Sequence, residues 1–399
     1  ERILMKKITQ EKLLSSERFF GQGILTEDFI DQSIDKVLKK VEKNIQKLGD
    51  KFPTPATTDN TYIAMDNTEW TNGFWTGILW LCYEVSGEKH YREVAEQNVK
   101  SFIYRIENEI EVEHHDLGFL YSLSCVSTYK LTGNEAAKNA AISAAEKLLQ
   151  RYQSKGEFIQ AWGELGNQDN YRLIVDCLLN IPLLFWASTV TQDKRYREVA
   201  VKHYHTTIDN AIREDSSAYH TFFFDAETGD PLYGKTRQGY SDSSSWARGQ
   251  SWLIYGLALF RSYCPEEENT EIFEAITNYF LNRLPKDFVS YWDLIFMDGS
   301  EQSRDTSATA IAVCGMSLMD AFLPETNSHK LVYKCAQHSM LRSLSENYTE
   351  SKTDGITALL NEGVYSWHSG KGVNEGNIWG DYFYLEALVR FKKNWKMYW

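Results

Sequence analysis

A chain of 399 residues, 43% of them hydrophobic, can bury a large core, and its composition is unlike that of a disordered segment. Its formal net charge of −13 excludes general nucleic-acid and anionic-membrane binding, which need a basic face, but leaves room for a small anionic ligand in a locally positive pocket. The longest apolar run, 178–190 with Asn180 and Ser188 inside it, is too short and too interrupted to span a bilayer.

At the start of the chain, Glu1-Arg-Ile-Leu-Met5-Lys-Lys has no apolar stretch of the kind a secretory signal needs. The four residues before Met5 read as a cloning remnant, with Met5 as the native start. Helical periodicity then dominates and predicts helices over 27–48, 70–86, 90–108, 117–132, 134–153, 171–190, 194–213, 245–263, 267–284, 306–321, 328–347 and 376–394. These twelve pair as outer and inner members of six hairpins in a single domain. Tyr91-Arg-Glu-Val-Ala95 recurs as Tyr196-Arg-Glu-Val-Ala200, each after a short polar turn, and Thr132-Gly-Asn-Glu135 supplies a third such turn. Segments such as 75–82 and 178–186 are apolar nearly all round, as buried inner helices must be, whereas 134–153 and 194–213 alternate charged and apolar residues. Pro182 is expected to kink the sixth helix. Loops at 50–69, 154–169, 214–244, 285–303 and 350–375 are too long for mere connectors. The cysteines (Cys82, Cys125, Cys177, Cys264, Cys314, Cys335) lack CxxC spacing and read as reduced residues of a cytoplasmic protein.

Six clusters rich in tryptophan, histidine, carboxylate or arginine open helices: Glu69–Trp75, His114–Phe119, Asn170–Asp176, Ser245–Trp252, Arg304–Ser307 and Asn374–Asp381. Six hairpins in a ring would gather them at one end. Within Ile174-Val-Asp-Cys-Leu-Leu179, an ionised Asp176 is costly without a partner, and desolvation would raise its pKa towards that of a general acid. Arg172, Asp176 and Asn180 would form one polar stripe on a helix, so a structural Arg172–Asp176 ion pair is the competing reading. Asp116, after His114 and His115, is an N-cap, part of a metal site, or a carboxylate at the barrel mouth facing Asp176. The twelve tryptophans concentrate near the clusters (Trp70, Trp75, Trp246, Trp252, Trp379, with Trp162 and Trp367 in adjoining loops), which favours a carbohydrate site over simple core filling. His220, Gln238 and Arg248 offer polar contacts around 214–244. Ser366, Ser369 and Lys371 offer an anion contact. No phosphate loop, HExxH, GxSxG or GxGxxG motif is present.

Together these motifs resemble the unsaturated glucuronyl hydrolases of glycoside hydrolase family 88, from about Asp66 to the C-terminus. The resemblance rests on Glu69-Trp-Thr-Asn-Gly-Phe-Trp75, His114-His-Asp-Leu-Gly-Phe119, Tyr171-Arg-Leu-Ile-Val-Asp176, Arg237-Gln-Gly-Tyr-Ser-Asp242, Trp246-Ala-Arg-Gly-Gln250 and Arg304-Asp-Thr-Ser-Ala-Thr-Ala310. It implies an (α/α)6 barrel, no cofactor and no metal, and a disaccharide substrate ending in a 4,5-unsaturated uronic acid. It also implies that Asp176 protonates C4 of the vinyl ether and then helps water attack C5, unlike the two-carboxylate displacement of ordinary glycosidases. Asp116 matches the second essential aspartate. Trp70, Phe74, His115, Trp162, His220, Gln238, Trp246, Arg248 and Trp252 match substrate-site positions, and Ser366, Ser369 and Lys371 match a motif linked to sulfated glycosaminoglycan disaccharides. The alternatives are an unsaturated rhamnogalacturonyl hydrolase acting on pectin fragments, a sugar epimerase on a similar barrel, and a non-catalytic carbohydrate-binding barrel.

Overall fold

The structure is a computed structural model that describes residues 6–399; the remnant expected before Met5 lies outside the described residues. Six inner helical segments, Asn72–Ser86, Leu117–Thr132, Pro182–Thr191, Ala247–Tyr263, Thr306–Asp320 and Ile378–Lys392, each touch the next, and the last returns to the first. Around them lie Glu27–Leu48, Lys89–Glu107, Glu135–Leu149, Lys194–Ala211, Thr270–Asn282 and Lys330–Asn347. This is an (α/α)6 barrel. The inner helices are buried on nearly every side because each faces the ring interior, two inner neighbours and an outer helix. Segment 117–132 is not uniform: Leu117–Tyr121 and Ser127–Thr132 are α-helical, and Ser122–Val126 between them is a π-helical turn.

The repeat has a structural meaning. Gly87 and Gly133 end inner helices in the left-handed conformation (φ 72° at both), and Gln192 ends a third at φ 62°. The outer helix that follows starts at once, and Ala95 and Ala200 of the repeated pentapeptide are fully buried at equivalent points.

The sixth predicted helix is where sequence and structure part. Residues Arg172–Ile174 form a strand, Val175–Leu179 a 3-10 turn, and the helix starts only at Pro182. The strand pairs with Thr221–Phe224, which pairs with Pro231–Lys235, so tertiary pairing overrides helical periodicity. Pro182 therefore does not kink a helix; it occupies the first turn, where its missing N–H costs nothing. The expected polar stripe of Arg172, Asp176 and Asn180 on one helix face does not exist. The long loops carry further two-stranded ribbons, Phe52–Pro53 with Ala64–Met65, Tyr152–Gln153 with Phe158–Ile159, and Gly363–Ser366 with Lys371–Glu375. Among the described residues no helix is long and apolar enough to cross a membrane.

Candidate active site

The N-terminal ends of the inner helices close tightly because two of them begin with glycine where another backbone passes. A Cβ on Gly73 would lie 2.2 Å from the Phe119 carbonyl oxygen, and one on Gly118 would lie 2.3 Å from the Asn180 Cα. These approaches draw the starts of helices Asn72–Ser86, Leu117–Tyr121 and Pro182–Thr191 together. Asn180 then joins them chemically: its side-chain oxygen accepts the Phe119 N–H (2.8 Å) and its amide donates to Asp116 Oδ1 (3.2 Å).

At the centre stands His115, almost fully buried. Its Nε2 is 3.2 Å from Asp116 Oδ1 and 3.2 Å from Asp176 Oδ1, although neither contact has hydrogen-bond geometry. Burial alone would lower its pKa, but the two carboxylates outweigh burial and push it up to about 10. An imidazolium thus sits between two carboxylates. The three donor atoms lie within 4.8 Å of one another, a spacing a cation could also use. Asp116 occupies the N-cap position of its helix without capping it through its side chain, which turns to His115 and Asn180 instead. His114 is occupied otherwise: Nδ1 accepts the Asp116 N–H, Nε2 reaches the Glu111 carbonyl, and the ring stacks on half-exposed Trp162 at 4.5 Å.

Facing this trio is an aromatic wall. Trp70 donates from its indole to the Tyr365 hydroxyl (2.7 Å) and stacks on Trp379 at 5.5 Å. Phe74 and Trp252 are sealed beneath it, packed on Phe119. On the far side, His220 packs on Trp246 and accepts the Arg237 N–H at Nδ1 (2.8 Å), which leaves Nε2 as the donor tautomer. Burial and the guanidinium groups of Arg172, Arg248 and Arg237 lower the pKa of His220 to about 3, so the ring is neutral.

Arg248 is held on every side, by Asp305, the carbonyls of Val364 (2.8 Å) and Tyr365 (2.9 Å), and Gln238 Oε1 (2.6 Å). Ser307 also donates to Asp305 and accepts the Trp379 indole N–H (3.0 Å). The Arg304–Ser307 cluster therefore braces the site by locking Arg248 and Trp379. Ser366, Ser369 and Lys371 lie at the tip of the Gly363–Glu375 ribbon, with the Lys371 ammonium 4.2 Å from the centre of the Tyr365 ring. No ion pair joins Arg172 to Asp176 among the described residues, so the structural reading of that pair falls. Thr71, Asn72, His115, Arg172 and Asp176 each carry a buried polar side-chain atom without a hydrogen-bond partner, a concentration that marks a ligand site.

The profile of Glycosyl Hydrolase Family 88 matches residues 41–359. The chain belongs to glycoside hydrolase family 88. It is 57% identical over 397 residues to an unsaturated chondroitin disaccharide hydrolase of Streptococcus pneumoniae, covering 99% of this chain and 100% of the relative. An unsaturated glucuronyl hydrolase of Bacillus sp. (strain GL1) is 40% identical, covering 92% and 98% of the two chains. Among solved structures, an unsaturated glucuronyl hydrolase from Streptococcus agalactiae superposes with a TM-score of 0.98 at 56% identity, covering all of both chains. A mutant of an S. agalactiae unsaturated glucuronyl hydrolase complexed with dGlcA-GalNAc6S superposes with a TM-score of 0.90 at 52% identity, again over both whole chains.

In this family 88 glycoside hydrolase Asp116 stands at a helix start, as expected, and Asp176 in a 3-10 turn rather than on a helix, and both flank His115. Asn180 was legible only as a member of the expected polar stripe, and its amide inside an otherwise apolar run was the available signal for its contact with Asp116. Sequence reasoning gave no site role to Asp305, because the ion pair with Arg248 joins segments 57 residues apart.

Proposed function

We propose that this hydrolase removes the non-reducing-end 4,5-unsaturated glucuronic acid from lyase-generated chondroitin- or hyaluronan-type disaccharides, including 6-sulfated ones. The observation that carries the reading is the His115 imidazolium wedged between Asp116 and Asp176 beneath the Trp70 wall. The relatives' described substrates, and the dGlcA-GalNAc6S complex of one of them, support the choice of sugar.

Asp176, the more exposed of the two carboxyls, takes a proton from the His115 imidazolium that faces it and delivers it to C4 of the vinyl ether. Positive charge develops at C5 and the ring oxygen, and the Asp176 carboxylate then takes a proton from water as its oxygen bonds to C5. The resulting hemiketal opens and the remaining sugar leaves. Asp116, held by Asn180 and the Asp116 N–H bond to His114, positions the substrate and keeps His115 charged. Trp70 and Trp162 serve as faces for the sugar rings, over the buried Phe74 and Trp252. His220 donates from Nε2, flanked by Trp246, while Arg248 orders Gln238 and the ribbon bearing Ser366, Ser369 and Lys371, which receives the sulfate. The six free cysteines support a reducing, cytoplasmic setting.

Asp176→Asn is expected to abolish the loss of the enuronate's ultraviolet absorbance while disaccharide binding, followed by calorimetry, persists. Full activity in that variant rejects the mechanism. Hydrolysis in heavy water is expected to place one deuterium at C4 of the released keto acid.

A further inference from the structure

Arg172 is the anomaly of the site. It is 4% exposed, yet among the described residues its guanidinium makes no hydrogen bond or ion pair, and both Nε and Nη1 are buried without partners there. The other buried arginines among the described residues are saturated. Arg105 donates to four backbone carbonyls and the Asn67 side chain, and Arg248 to a carboxylate, an amide and two carbonyls. What surrounds Arg172 compensates it poorly. The Phe223 ring lies 5.6 Å away, Arg237 adds repulsion, and Asp176 attracts it without touching it. Nor can the side chain relax easily, because its backbone is fixed in the strand opposite Phe223 and its carbonyl accepts the Ala161 N–H (3.1 Å).

A guanidinium cannot shed its charge at neutral pH, so burying one unpaired costs several kcal/mol unless an anion arrives. His115, Asp116 and Asp176 already balance one another in part, which leaves Arg172 as the cation without a counter-charge beside the reacting carboxyl. We propose that Arg172 is a specificity-determining residue that receives the carboxylate of the unsaturated uronate, so that its charge is paired only in the substrate complex. The assignment rests on the proposed function. It makes the enzyme selective for the free acid over its neutral ester, and it holds the C4=C5 bond, to which that carboxylate is attached at C5, beside Asp176.

The test compares kcat/KM for an unsaturated chondroitin disaccharide and for its uronate methyl ester. The unsubstituted enzyme is expected to prefer the acid by about tenfold to a hundredfold, the range for a hydrogen bond to a charged group. Arg172→Gln is expected to lose most of that preference through slower turnover of the acid, with the ester little affected. Equal losses on both substrates would assign Arg172 a merely structural role and overturn the proposal, as would an unchanged acid-to-ester ratio. If Arg172→Gln does not fold, judged by thermal melting, Arg172→Lys carries the test. It keeps the charge but not the planar fork, and a fall of about threefold to tenfold in the ratio is expected. An unsubstituted enzyme that turns over neither substrate would overturn the function itself, and this assignment with it.

Discussion

At the scale of single residues, the candidate site is organised by shared charge. His115 joins two carboxylates that would otherwise repel each other, and Asn180 holds one of them, Asp116. Asn180→Ala removes the acceptor of the Phe119 N–H and the donor to Asp116. It is expected to lower kcat about tenfold and stability by about 1–2 kcal/mol, measured by steady-state kinetics and urea unfolding. Lys371 is a different case, exposed at the ribbon tip and anchored through its contact with Tyr365. Lys371→Ala is expected to reduce kcat/KM on the 6-sulfated disaccharide about tenfold and to leave the unsulfated one nearly unchanged. An unchanged preference would remove the sulfate contact from the proposal. The pairing of Asp116 with Asp176 was readable from residue type and motif. The cation between them was not, because His115 acquires its charge only from the two carboxylates folded around it.

At the scale of elements, the site depends on how loops are fastened to helix starts. The Gly363–Glu375 ribbon is tied to helix Ala247–Tyr263 by Arg248, and helix Thr306–Asp320 joins through Asp305. The pair is fully buried, so breaking it leaves an uncompensated charge. Asp305→Ala is expected to cost about 3–5 kcal/mol in denaturant unfolding and to raise KM by freeing the ribbon. Stability loss with unchanged KM would separate the brace from substrate binding. Helical hairpins were legible along the chain because apolar periodicity and turn residues are local properties. The strand at Arg172–Ile174 was not, because its partners lie some 50 residues away and the run around it is as apolar as a buried helix.

At the scale of the whole molecule, the end of the ring opposite the site is filled rather than open. Glu386, fully buried, accepts from Tyr255 (2.6 Å), Tyr382 (2.8 Å), Arg390 (3.1 Å) and the Trp399 indole (2.6 Å). Trp399 stacks on Phe383 and reaches Phe119 beneath the site floor. Asp381, on the same inner helix, is buried with the Tyr62 hydroxyl and Leu360 N–H as donors. Burial outweighs those bonds and pushes its pKa from 3.8 up to about 7. Because the folded value is the higher one, the stabilisation is fully present below pH 3.8 and is lost as pH rises through about 7. The interval corresponds to about 4 kcal/mol. Melting temperature of the unsubstituted protein relative to Asp381→Asn is therefore expected to fall between pH 4 and 7 and level off above. A difference independent of pH would reject this account.

What the sequence determined by itself was the helical hairpins and their pairing, while the family resemblance supplied the expectation that Asp116 and Asp176 share one site. Each follows from local periodicity, capping chemistry or a motif carried within a few residues. The tertiary structure alone decided that Asp176 stands in a 3-10 turn rather than on a helix, that Arg248 is locked by Asp305, and that Arg172 is left unpaired. Those outcomes depend on which distant segments meet: two carboxylates turn the buried His115 ring into a cation, and burial away from any anion leaves Arg172 without a partner among the described residues.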